Sequence, residues 1–137
     1  MTRPARTLRS YNSLEEILLD KQLASLGDSY VNFVFSLAMS QKHEHPMGAK
    51  VRNQVLADAV ELSGLRKLLP RRVDKHTRGN AAEALLVFAW LQDTVEMEDC
   101  INVLADENDP TKAFAVILQQ VLHKLGVEHE HKQARTQ

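Results

Sequence analysis

The sequence predicts an all-α protein, and three observations lead to that fold class. Apolar residues recur at the spacing of helix faces, capping residues flank the apolar segments, and no segment alternates between apolar and polar residues as a half-buried strand does. The chain has 137 residues, 44% hydrophobic and 26% charged, which suits one domain with a single core. A formal net charge of −1 argues against nucleic-acid binding by bulk charge, so such binding would need a local basic patch.

Three parts are expected along the chain. Residues 1–12 form a flexible basic arm, residues 13–126 a single helical domain, and residues 127–137 a polar tail. No apolar run is long enough to span a membrane, and the chain does not start like a signal peptide, so no membrane contact is expected. The single cysteine, Cys100, excludes an internal disulfide and suits a cytoplasmic protein. No basic residue beside it would activate it as a nucleophile.

Capping and breaking residues divide the domain into helices. Ser13 begins a capping-box pattern, and Asn53, Thr94 and the Asp109-Pro110 pair can each start a helix. Gly64 and Gly126 end helices, and residues 41–50 read as a loop because they contain a proline and a glycine. The predicted helical segments are residues 13–22, 23–37, 53–63, 65–69, 77–92, 94–106 and 110–125.

The second of these helices carries an acid on a largely apolar surface. One apolar stripe consists of Leu23, Leu26, Tyr30, Phe33, Val34 and Leu37. Asp28 lies on roughly the opposite side, where its neighbours are also apolar, so the helix is expected to be buried. A buried carboxylate costs several kcal/mol unless it is paired, hydrogen-bonded or bound to a metal. Alternatively, residues 27–29 break the helix, and Asp28 or Ser29 caps the next one. The spacing does not decide between these readings.

The central helix poses the same problem. Residues 81–91 are apolar on all sides except at Glu83, and Asn80 lies one turn before Glu83 on the same face. Two core helices with one acid each make a shared site plausible, in which the two carboxylates meet and hold a divalent cation.

These residues carry a resemblance to a known family. Residues 23–29, Leu-Ala-Ser-Leu-Gly-Asp-Ser, resemble the Leu-Gly-Asp signature of the ribonuclease III catalytic domain, and residues 80–85, Asn-Ala-Ala-Glu-Ala-Leu, resemble its second acidic motif. Residues 51–57 and 64–69 are similar to the helix and turn between those motifs. The resemblance covers roughly residues 14–91. It implies the helical bundle of the ribonuclease III endonuclease domain.

The chain also departs from the family pattern. The long bacterial form has glutamates where this chain has Lys21 and Ala24, and an aspartate where it has Asn80. The small Mini-III branch, which lacks a double-stranded-RNA-binding domain, resembles this chain in length and motif. Glu44 is the nearest candidate for the family's further acidic ligand.

The resemblance implies a Mg²⁺-dependent endoribonuclease that hydrolyses double-stranded or structured RNA. Asp28 and Glu83 would be the catalytic metal ligands, with Asn80 and Glu44 as further ligands and Mn²⁺ as an alternative to Mg²⁺. The resemblance also implies a homodimer, whose two sites would cut the two strands. The alternative is a non-catalytic ribonuclease III-like module that binds RNA or the ribosome, which the absent acids favour. A helical protein-interaction domain unrelated to RNA is a third reading.

Composition and spacing also predict the roles of side chains outside the two acidic motifs. Basic residues crowd the segment before the central helix and either solvate a loop or contact RNA phosphates, and their position beside the proposed site favours RNA binding: Arg66, Lys67, Arg71, Arg72, Lys75 and Arg78. The acidic segment 93–109 is expected to face away from nucleic acid. The histidine pairs at 43 and 45 and at 129 and 131 make poor metal chelates, because alternate residues of an extended segment point to opposite sides. Phe33, Phe88 and Trp90 are expected in the core.

Overall fold

A computed structural model describes residues 9–127. These residues form six α-helices, one 3-10 helix and no strand, which confirms the all-α prediction. The helices are α1 (Leu14–Leu18), α2 (Lys21–His43), α3 (Asn53–Ser63), α4 (Lys75–Leu91), α5 (Met97–Asp106) and α6 (Pro110–Lys124), and the 3-10 helix (Leu65–Leu68) follows α3.

Helix α2 is longer than predicted and is not broken at residues 27–29. It starts at Lys21, because the Asp20 side chain accepts hydrogen bonds from the backbone N–H groups of Gln22 and Leu23 at 3.0 and 3.2 Å. It ends at His43, where Glu44 adopts a left-handed conformation with φ of 60°. The alternative in which Asp28 or Ser29 caps a helix is therefore wrong. Asp28 lies inside a continuous helix.

Two of the predicted starts and both predicted stops are confirmed. Ser13 accepts a hydrogen bond from the Glu16 N–H, and Asp109 accepts one from the Thr111 N–H. Gly64 and Gly126 have φ of 88° and 81°, where glycine is favoured because it lacks a Cβ.

Two predicted caps are wrong. Arg52 is the N-cap residue of α3, and the amide of Asn53 instead donates a hydrogen bond to the Lys75 carbonyl. Helix α5 starts after Glu96 rather than at Thr94. Neither helix start has a side-chain cap, because Asn53 is engaged by Lys75 and the Thr94 N–H donates to the Ala89 carbonyl at 2.8 Å in the turn that follows α4.

Helix α4 is the centre of the bundle. Its residues from Ala81 to Val87 are all buried, and it is covered by α1, α2, α3 and α6, while α5 packs on α2. The largest fully buried side chains include Leu18, Leu56, Leu65, Leu85, Leu104, Phe114, Ile117 and Leu118. The prediction of a helix that is apolar on all sides because it is buried is confirmed for α4.

The same expectation fails for part of α2. Tyr30, Val31 and Val34 are buried, but Leu26 is 42% exposed and Phe33 is 55% exposed. Phe33, expected in the core, is therefore a surface residue. The helix packs mainly against α4 and α5, which leaves one apolar edge in solvent.

The last residues of the predicted N-terminal arm contact the helical domain. Tyr11 donates a hydrogen bond to the Asp20 carboxylate at 2.7 Å, and its ring packs edge-on against Phe88. Arg9 pairs with the same carboxylate at 2.8 Å. Residues 9–12, assigned to the arm, are thus held against α2 and α4. Residues 1–8 and 128–137, including the second histidine pair, lie outside the described residues.

Candidate active site

Helices α2 and α4 approach each other closely at Gly27. A Cβ at this position would overlap the backbone carbonyl of Glu83 and would lie 3.0 Å from the Glu83 Cβ. A larger residue would therefore push the two helices apart. The close approach at Gly27 brings the next residue of α2, Asp28, beside the Glu83 side chain.

The two acids identified in the sequence do lie together between these helices. Asp28 is exposed, whereas Glu83 is buried with 7% of its surface accessible. Burial raises the pKa of Glu83 to about 8, and the hydrogen bond and negative charge of the neighbouring Asp28 contribute to the rise. Near neutral pH, in the absence of a cation, Glu83 therefore holds a proton.

The acid pair opens into a cleft of about 560 Å³. Its walls come from α2, from Val51 and the start of α3, and from the first half of α4 with the residue before it. Two amides, Asn53 and Asn80, line the cleft together with the acids. Asn80 thus lies where its amide oxygen could supplement the two carboxylates.

Glu44 lies far from this cleft. It follows α2 at its carboxyl end, 16 residues after Asp28, which corresponds to about 24 Å along the helix axis. Within one chain, Glu44 is therefore too far away to share a metal ion with Asp28 and Glu83.

The basic cluster divides into two groups. The Arg66 guanidinium donates to the carbonyls of Pro70 and Arg71, and that of Arg78 donates to the Val73 carbonyl at 3.1 Å. Both arginines also lie near the Glu61 carboxylate, at 3.8 and 3.6 Å. These two side chains stabilise the segment between α3 and α4.

The other group is exposed and consists of Lys67, Arg71, Arg72 and Lys75. None of the four lines the cleft itself, but Lys75 lies between two residues that do, Asp74 and His76. The exposed group is therefore better placed to contact a ligand than Arg66 and Arg78.

Several cleft residues were not identified as site residues from the sequence. Lys21, in the first turn of α2, lines the cleft two turns before Asp28, and His76 lines it from the first turn of α4. Asp74 also lines it, but its carboxylate accepts a hydrogen bond from the Thr77 N–H at 2.7 Å and so caps α4. The seven-residue spacing of Lys21 and Asp28 places both on one helix face and could have identified Lys21.

The donor set fits a hard divalent cation. Two carboxylates and one amide provide oxygen atoms, which Mg²⁺ prefers, and Mg²⁺ commonly binds through only one or two carboxylates while it keeps several waters. Among residues 9–127, no group of three or more His, Cys, Asp or Glu side chains is arranged to hold a metal. Burial and the neighbouring Asp28 carboxylate disfavour the charged form of Glu83, and a bound divalent cation would favour it.

Two further expectations concern side chains away from the cleft. Cys100 is buried, and this burial, with the nearby Asp99, raises the pKa of its thiol to about 11, which agrees with an unreactive cysteine. Trp90 is partly buried, and the centre of its ring lies 5.4 Å from that of the Tyr30 ring.

No helix within residues 9–127 is long and apolar enough to cross a membrane.

Comparison with known families agrees with this geometry. The model of the ribonuclease III family matches residues 21–127, a range that starts with α2 and contains both acids. A comparison with curated proteins finds no match. Because the family match extends over most of the 137 residues, the chain belongs to the ribonuclease III family.

Proposed function

We propose that this protein is a Mg²⁺-dependent endoribonuclease that hydrolyses phosphodiester bonds of double-stranded RNA. The observation that carries the proposal is the meeting of Asp28 and Glu83 in an open cleft. Membership of the ribonuclease III family supports a ribonuclease role. A buried acid beside a second acid is costly in a protein that does not use it, because each carboxylate disfavours ionisation of the other.

The residues of the cleft would bind the cation directly. Asp28 and Glu83 would hold Mg²⁺, or Mn²⁺ in its place, and Asn80 would contribute its amide oxygen. When bound, such an ion supplies a more acidic water and offsets the charge that develops on the phosphate and the leaving 3′ oxygen. Glu83 must lose its proton to bind a cation, and its position in the cleft wall gives that proton a route to solvent.

The RNA backbone would be held by cations at the rim of the cleft. Arg71, Arg72 and Lys75 are exposed on the segment that leads into α4, and Lys21 lies in the cleft wall. Such contacts seat a duplex through its phosphates and read little sequence. This supports double-stranded or structured RNA as the substrate class.

A homodimer is part of the proposal. One chain has one acid pair, whereas a duplex has two strands to cut. Leu26 and Phe33 lie seven residues apart on α2, hence on one face, and are 42% and 55% exposed. A second copy packed on this face by two-fold symmetry would cover both side chains in each chain and bring the two copies of α2 together.

A second function has one observation in its favour. Asn80 occupies the position at which the second acidic motif of the family has an aspartate, so the cleft has one negative charge fewer next to Glu83 than that motif would give. This would suit a ribonuclease III-like domain that binds RNA or the ribosome without cutting. Retention of both Asp28 and Glu83 favours the enzyme instead.

Cleavage of a long duplex RNA separates these functions. Wild-type protein should cut it in 10 mM MgCl₂ and not in EDTA, whereas Asp28→Asn and Glu83→Gln should lose cleavage but keep RNA binding. Binding by wild type without any Mg²⁺-dependent cleavage would favour the non-catalytic module. If the wild type neither binds nor cleaves the duplex, both RNA functions are overturned.

A further inference from the structure

Three polar side chains of α2 hold the segment of residues 47–51 against the helix. Ser40 Oγ accepts from the Met47 N–H at 2.9 Å and donates to the Met47 carbonyl at 3.1 Å. Ser36 Oγ binds both backbone groups of Ala49 in the same way, at 2.8 and 3.0 Å. These serines are one helical turn apart and bind alternate residues of the segment, so the segment runs back along α2 towards the cleft.

The row continues through Asn32 to Asp28. Asn32 lies one turn before Ser36, and its Oδ1 accepts a hydrogen bond from the Val51 N–H at 2.8 Å. Its Nδ2 donates to Asp28 Oδ1 at 3.2 Å. Asn32 therefore differs from the two serines, because it bonds the segment and a proposed metal ligand at once.

The orientation of the Asn32 amide follows from the donors around it. A backbone N–H can only donate, so the amide oxygen must face Val51. This leaves the NH₂ group, which can only donate, to face the Oδ1 acceptor of Asp28. The hydrogen bond to Val51 thus determines which atom Asn32 presents to the acid.

We infer that Asn32 is a positioning residue that holds the Asp28 carboxylate ready for the cation. Fixing Oδ1 limits rotation of the carboxylate, so the orientation of Asp28 is set before a cation arrives. Partners of this kind behind a metal ligand commonly change metal affinity 10- to 100-fold when they are removed. This inference rests on the proposed function, since it assigns a cation to Asp28.

The chain offers a matched control for this role. Ser36→Ala removes two hydrogen bonds to the 47–51 segment but leaves the Asn32–Asp28 bond in place. Asn32→Ala removes the hydrogen bond to Val51 and the one to Asp28. A purely structural role for Asn32 predicts similar behaviour of the two variants, whereas a positioning role predicts that only Asn32→Ala affects the cation.

The test measures Mn²⁺ binding to the full chain without RNA, by titration calorimetry at a single pH, with a thermal melt of each variant. We expect Mn²⁺ affinity to fall at least about tenfold in Asn32→Ala and to stay within about twofold of wild type in Ser36→Ala, although both melt at a lower temperature. Asn32→Gln, which keeps an amide, should bind Mn²⁺ better than Asn32→Ala. Equal effects of Asn32→Ala and Ser36→Ala, or no gain from the glutamine, would overturn the inference.

The same titration separates this inference from the proposed function. If wild type binds Mn²⁺ and Asp28→Asn does not, the cation site stands and the Asn32 comparison decides the inference alone. If wild type does not bind Mn²⁺ at millimolar concentration, the proposed cation site fails, and the role of Asn32 fails with it.

Discussion

Gly27 lies against the backbone carbonyl of Glu83, where a Cβ would overlap it. This contact sets the separation of α2 and α4, and through it the meeting of Asp28 with Glu83. Gly27 therefore determines how close Glu83 of α4 lies to Asp28, the residue that follows Gly27 in α2.

Gly27→Ala should destabilise the protein by about 1–3 kcal/mol, because the added methyl group forces apart two packed helices. This range is net of the higher helix propensity of alanine, which is worth about 1 kcal/mol and opposes the overpacking. Gly79→Ala is the control, since its Cβ would meet the end of the Asn53 side chain, which can move, rather than backbone. Urea unfolding measures both. A Gly27→Ala protein as stable as Gly79→Ala would mean that the helices separate at little cost.

Glu83→Gln should abolish cleavage and stabilise the metal-free protein at alkaline pH. The pKa of Glu83 is raised to about 8 in the fold from a usual 4.5, so the folded state holds a proton that the unfolded state releases between these values. The free energy of unfolding of the wild type should therefore fall, relative to the variant, as pH rises from 4.5 to 8. Because one pKa unit is worth about 1.4 kcal/mol, we expect a difference of several kcal/mol above pH 8.

Thermal melts of the two proteins in EDTA at pH 5, 7 and 9 measure this difference. Millimolar Mg²⁺ should reduce it, because a bound cation replaces the proton on Glu83. A variant that melts well below the wild type at every pH would show instead that Glu83 has a structural partner.

Asn80→Asp should lower the Mg²⁺ concentration required for half-maximal cleavage, by roughly tenfold, because a third carboxylate joins Asp28 and Glu83 at the proposed cation site. It should also destabilise the metal-free protein, since the new charge lies near Glu83. Asn102→Asp, an exposed site on α5, controls for the added charge. An unchanged Mg²⁺ titration would place Asn80 out of reach of the cation.

The two groups of basic residues should respond differently to substitution. Serine at Arg71, Arg72 or Lys75 should each reduce the slope of log affinity for duplex RNA against log salt by about 1, because each phosphate contact releases bound counterion. Serine at Arg66 or Arg78 should mainly lower the melting temperature, since these guanidiniums bind Glu61 and loop carbonyls.

These measurements use Ca²⁺ in place of Mg²⁺ to limit cleavage, and Lys112→Ser on α6 serves as the control. A slope that does not change in any of the three loop variants would remove the phosphate-binding role of this segment.

Phe33→Ser should shift the protein from dimer to monomer in sedimentation velocity, because it removes exposed apolar surface from the proposed contact face. The monomer itself should stay folded, since Phe33 is 55% exposed in the single chain. Leu62→Ser, on α3 and 57% exposed, should leave the oligomeric state unchanged. A monomeric wild type would contradict the dimer directly.

Much of the fold was predictable because helix formation depends on nearby residues. The stops at Gly64 and Gly126 and the start at Asp109 follow from capping chemistry within a few positions. The burial of α4 followed from its apolar residues on all sides. The continuity of α2 through Gly27 was not predictable in this way, because glycine and aspartate also suit a turn.

The sequence by itself determined the helical class, the two acids and their separation onto two helices, since these depend on residue type and on a helical period of about 3.6 residues. Only the tertiary structure decided that Phe33 is exposed, that Arg66 and Arg78 lie within ion-pair distance of Glu61, and that Asn32 joins Val51 to Asp28. Each of these depends on which helix faces pack together and on contacts between residues distant in the chain. Such contacts leave no repeating pattern in the nearby sequence, because they depend on how the whole core packs.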